Sequence, residues 1–87
     1  MEVRDEEQPL YARQLAEMFD DVNEATLRAW MRREVNPMPC RVYGESRRPH
    51  RKAFPRVVAA MLAFESKAGT YAEVEQAARR CAMGARP

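Results

Sequence analysis

The sequence has little of what metal and nucleophile chemistry requires. It holds one histidine, His50, and two cysteines, Cys40 and Cys81, with no CxxC or HxxxH spacing. A structural zinc site takes about three or four N/S ligands from one chain, which this set does not supply. With a single histidine, a nucleophile triad also has little to be built from. In a reducing cytosol the two thiols are expected to stay unpaired and to act as small buried hydrophobes. The 3 glycines form no phosphate-cradling loop, and no carboxylate pair or Ser/Lys constellation stands out. The expectation is a protein that is not an enzyme, with no cofactor, no metal and no small-molecule substrate. No apolar run approaches the roughly 20 residues that span a bilayer, so no membrane association is expected. The N-terminal MEVRDEEQ lacks the basic-then-apolar order of a secretory signal, which points to the cytoplasm.

What is present is charge, unevenly placed. The chain has 87 residues, enough for one domain with a modest core, at 46% hydrophobic and 32% charged residues. Its net charge of +2 hides a division. Residues 1–27 carry two basic and eight acidic side chains, whereas residues 28–56 carry nine basic and only two acidic. A basic block inside a nearly neutral protein creates a local potential suited to phosphate. The acidic set (Glu2, Asp5, Glu6, Glu7, Glu17, Asp20, Asp21) could bind a metal or a basic partner, but reads first as a solvated face that keeps the N-terminal side away from DNA.

Hydrophobic spacing organises the rest. Residues 1–9 form an acidic tail, and LYARQLAEMF at 10–19 has helical periodicity. The stretch 20–23 interrupts it, and Asn23 is suited to cap a second helix, EATLRAWMRRE at 24–34, with Leu27, Trp30 and Met31 facing inward. That helix must stop before Asn36-Pro37-Met38-Pro39. CRVYG at 40–44 and HRKAF at 50–54 read as two strands of a hairpin. Pro55 fits the first turn of a third helix over about 56–68 that Gly69 ends, and Thr70 and Glu73 form a capping box for a fourth. The expected fold is mainly α with a small β-hairpin, a winged helix-turn-helix with a two-stranded wing over residues 10–68. A short C-terminal helix occupies residues 69–87, and its Tyr71, Val74, Ala78 and Cys81 stripe is offered either to self-association or to docking on its own domain. The expected core is Leu15, Phe19, Leu27, Trp30, Val42, Phe54, Val58 and Leu62.

With Leu27, Trp30 and Met31 inward and about 100° per residue, Ala25 and Ala29 lie at the crest of the exposed face. Arg28 and Arg32 then run along one side, with Thr26 and Arg33 along the other. Arginines four apart project into one groove, where a guanidinium can bind guanine. The plain alternative is an amphipathic helix with an arginine-rich solvent face. The hairpin adds Arg47, Arg48, Arg51 and Lys52 at its tip and on its second strand and Arg41 on its first, with His50 either a surface polar residue or a phosphate hydrogen-bond donor. Two basic elements beside one groove-sized surface are more specific than either alone.

The run ATLRAWMRREVNPMPCRVYGESRRPHRKAF resembles the winged helix-turn-helix of phage and mobile-element excisionases, within the broader MerR-like group. Trp30, Arg32, Pro37, Pro39, Val42, Gly44 and Phe54 fill the places of that pattern. RQLAEMF, LRAW and VVAAMLAFE are similar to the N-terminal DNA-binding domain of lambda-like terminase small subunits. The resemblance covers residues 10–65 and departs from the family where Asp21 and residues 34–36 stand in place of glycines. It implies a sequence-specific double-stranded DNA-binding protein in a bacterial host cell. Such a protein would act as an excisionase (recombination directionality factor) or as a small architectural or transcriptional regulator. It would self-associate on DNA and have an integrase or terminase as partner. The alternatives are the DNA-recognition domain of a terminase small subunit in DNA packaging, or a module that binds a phage or host protein. The DNA-binding set implied is Thr26, Arg28, Arg32, Arg33, Arg41, Arg47, Arg48, Arg51 and Lys52.

Overall fold

A computed structural model describes residues 8–44, 47 and 49–84, with side chains described as far as Cys81. Arg48 and the acidic residues before Gln8 lie outside the described residues. The order is β1 (Leu10–Tyr11), α1 (Ala12–Met18), α2 (Glu24–Arg32), β2 (Arg41–Tyr43), β3 (His50–Ala53), α3 (Pro55–Glu65) and α4 (Tyr71–Gly84). The described residues are mostly helical and form four helices and one three-stranded antiparallel sheet, in the order β1-β3-β2.

The third strand is a correction to the sequence reading. Leu10 and Tyr11 look like the first turn of a helix because they are apolar and precede a periodic segment. They pair instead with Ala53 and Lys52 of β3, and the Gln14 side chain accepts a hydrogen bond from the Tyr11 N–H at 2.9 Å. Long-range pairing outweighs local periodicity here, and the helix starts two residues later than expected.

Several local expectations hold. The Asn23 side chain accepts a hydrogen bond from the Thr26 N–H at 2.8 Å and opens α2. Pro55 occupies the first turn of α3. Thr70 and Glu73 make reciprocal side chain-to-backbone contacts of 3.4 and 3.5 Å at the start of α4. Both ends toward the prolines and glycine fall earlier than expected. α2 stops at Arg32, before a loop in which Asn36 takes a left-handed φ of 51°. Met38 is buried there, and its N–H donates to the Trp30 carbonyl at 2.8 Å. α3 stops at Glu65; Lys67 turns the chain at φ 67°, and the Ala68 and Gly69 N–H groups donate to the Ala63 carbonyl. Gly69 is needed for close approach, not for the turn, since a Cβ there would sit 3.1 Å from that of Ala63.

The core joins Leu15 of α1, Leu27 and Met31 of α2, Ala53 and Phe54 at the sheet, Val57, Val58 and Met61 of α3, and Val74, Ala77 and Cys81 of α4. Phe19, Trp30 and Leu62 pack against it half-buried. Val42 does not: it is 57% exposed. Its partner Arg51 stands two residues from buried Ala53, so Val42 shares the inner face of the sheet but lies about 7 Å further out, beyond the helices. The α4 stripe is covered by the chain's own core, as α4 packs on α3, so it is not the face open to a second copy.

Candidate nucleic-acid interface

An open cleft of about 710 Å³ runs between the first turn of α1, α2 and the start of β3. Four arginines from three elements line it: Arg13 of α1, Arg28 and Arg32 of α2, and Arg51 of β3. His50 and Tyr11 complete the wall, and Glu24 is the one acidic lining residue among the described residues. Helical phase explains the α2 contribution, because residues 24, 28 and 32 follow one another at i, i+4 spacing along one side. Glu24 and Arg28 form an ion pair across one turn, both with solvent-accessible side chains. The net charge of the described lining is strongly positive, with buried Met31 and Ala12 as its apolar part.

The remaining expected DNA-binding residues go elsewhere. Thr26 lies on the opposite side of α2, in a shallower groove shared with Trp30, Leu62 and Glu65. Arg33, which follows α2, is tied down. Its Nε donates to the Asn36 carbonyl at 3.0 Å, and its terminal nitrogen forms an ion pair with Glu65 at the end of α3. Arg47 is exposed on the connection between β2 and β3.

Arg41 and Lys52 stand on the outer face of the sheet. Directly opposed residues of antiparallel strands share a face, so the pairs Tyr11↔Lys52 and Arg41↔Lys52 place these three together, with the opposed pair Tyr43↔His50 alongside. The contacts agree. The Lys52 Nζ lies 4.6 Å from the Tyr11 ring centroid and 5.1 Å from that of Tyr43. The Arg41 guanidinium lies over the Phe54 ring at 5.3 Å, and His50 meets Tyr11 edge-on at 6.1 Å. The basic set read from the sequence is thus divided between a cleft, an outer sheet face and the α3 side of α2.

Sequence reasoning misses Arg13, Tyr11 and Glu24 as residues of this cleft. Arg13 sits in a segment dominated by acidic residues, and its position at the start of a helix beside α2 depends on the tertiary packing of α1 and α2. Glu24 could have been read from its i, i+4 relation to Arg28.

The described residues contain no group of three or more His, Cys, Asp or Glu side chains that could hold a metal ion, and Cys40 and Cys81 do not form a disulfide. No helix among them is long and apolar enough to cross a membrane.

No protein-family model, curated protein or solved structure matches this chain.

Proposed function

We propose that the protein binds double-stranded DNA, with α2 entering the major groove and the adjoining cleft following one sugar-phosphate strand. The observation that carries this reading is the convergence of Arg13, Arg28, Arg32 and Arg51 from three separate elements on a single open cleft. A solvated basic surface has no reason to concentrate in one concavity. Duplex DNA presents an extended line of phosphate charge, and four arginines set in one open cleft suit an extended anion. Exposed Ala25 and Ala29 at the crest of α2 let its backbone approach the base edges. Arg28 and Arg32 then flank the crest, and Arg47 at the hairpin tip reaches the neighbouring backbone.

Helix, turn, helix, hairpin, helix is the order of a winged helix-turn-helix, and the resemblance of residues 10–65 to excisionases extends the reading to a pathway. The protein acts as an excisionase or small architectural or transcriptional regulator of a phage or mobile element. One domain of this size covers a short site, so specificity calls for several copies side by side.

The test is fluorescence anisotropy on labelled duplexes that flank the gene, against random duplex, across a salt series. With six to eight phosphates contacted, affinity falls about 10³-fold or more between about 50 and 200 mM salt. One flanking duplex binds far more tightly than random DNA. Equal, weak and salt-insensitive binding to all duplexes would reject the reading.

A further inference from the structure

The outer sheet face carries a feature that duplex binding in the cleft does not use. Tyr11 on one edge strand is 41% exposed and Tyr43 on the other is 37% exposed. The Lys52 Nζ stands between the two rings, 4.6 and 5.1 Å from their centroids, so the rings lie within about 10 Å of each other. Arg41 and His50 occupy the same face, and no acidic side chain stands on it among the described strand residues. Large aromatic rings left open on a sheet are not there for the core, because the opposite face, through Leu10 and Ala53, is the one that packs on the helices.

We infer that this face is a second nucleic-acid site, one that binds single-stranded nucleic acid by stacking bases on Tyr11 and Tyr43 while Lys52 and Arg41 take the phosphates. Aromatic platforms beside cations are the general solution for single strands, since every base offers a π-face and every nucleotide a negative charge. Tyr11 and Tyr43 stand on the two edge strands that flank Lys52, so one strand can lay a base on each exposed ring while the ammonium moves out to a backbone phosphate. Duplex DNA cannot use this face in the same way, because its bases are stacked on one another and their faces are covered.

The site is independent of the cleft at Tyr43, Lys52 and Arg41, none of which lines it; Tyr11 and His50 stand at the border of both. The test therefore turns on Tyr43. Labelled oligo(dT) and oligo(rU) are titrated against the wild-type chain, Tyr43→Phe and Tyr43→Ala, with a random duplex alongside and thermal melting as the folding control. The expected result is single-strand binding that Tyr43→Phe retains and Tyr43→Ala weakens by at least about fivefold, with duplex affinity unchanged in both. Lys52→Gln weakens single-strand binding as well and steepens no other defect. Preference for oligo(dT) or for oligo(rU) identifies DNA or RNA as the strand. Failure of either oligonucleotide to bind would overturn the inference while leaving the duplex reading standing. So would a Tyr43→Ala variant that binds single strands as tightly as wild type, or one that loses single-strand and duplex binding equally.

Discussion

Arg33 and Glu65 join the C-terminal end of α2 to the C-terminal end of α3 through an ion pair. The same guanidinium also donates to the Asn36 carbonyl at 3.0 Å, which holds the turn that carries the chain away from α2. Both partners are about one-third exposed, so the contribution is that of a surface pair in good geometry. Arg33→Ala and Glu65→Ala should each lower stability by about 0.5–1 kcal/mol, and a double-mutant cycle should return a coupling of similar size. Chemical denaturation checks the cycle. Arg33→Ala should leave duplex affinity within about twofold of wild type, because its side chain faces α3 and not the cleft.

The division between core and hairpin gives a second contrast. Leu27 is fully buried, and Leu27→Ala should cost about 2–5 kcal/mol through lost burial and a cavity between α1, α2 and α3. Val42 stands beyond the helices, and Val42→Ala should stay within about 0.5 kcal/mol. Urea denaturation midpoints of the two variants test this directly.

The same contrast shows what could be read from the sequence. Caps and stops are local, so Asn23, Pro55 and the Thr70–Glu73 pair announced three of the helices correctly. Leu10 and Tyr11 carry helical spacing, and nothing local says that Ala53 and Lys52 wait to pair with them. Alternation gives Val42 an inward face but does not say how far along the strand the helices reach. For the candidate site, helical phase put Arg28 and Arg32 together and set Thr26 and Arg33 on the other side. It said nothing of Glu65 as the partner of Arg33, a residue 32 positions away. Strand register likewise had to be known before Lys52 and Arg41 could be separated from Arg51.

Within the duplex-binding reading, Glu24 restrains Arg28. Their ion pair occupies a cation that would otherwise meet phosphate. Glu24→Gln should release it, adding about one phosphate contact and steepening the slope of log affinity against log salt by about 0.9. Affinity for random duplex should rise at low salt, so selectivity should fall. A salt titration of the variant on random duplex gives the result.

Tyr71 offers a pH signature. Its hydroxyl donates to the Pro37 carbonyl, fastening α4 to the loop that follows α2. Burial pushes its pKa up from the ordinary 10.0, the nearby Glu75 carboxylate adds to the rise, and Arg33 opposes it. A group whose folded pKa is raised contributes stability that is complete below its unfolded value and is lost as pH climbs through the folded one. The wild type should therefore exceed Tyr71→Phe by about 1 kcal/mol at neutral pH, with the difference closing above pH 10.0. Denaturation of both proteins at neutral and alkaline pH measures it.

The central claim is that the cleft between α2 and β3 binds duplex DNA. The most direct measurement compares Arg32→Ala and Arg51→Ala, one from each wall, with Arg79→Ala on the exposed surface of α4. Anisotropy titrations on one duplex across a salt series read all three. Each cleft variant should weaken binding by about 1–3 kcal/mol if it contacts a base, or flatten the salt slope by about one if it contacts phosphate. Arg79→Ala should match wild type. Cleft variants that bind as wild type does, or an Arg79→Ala that weakens binding as much as they do, would contradict the account.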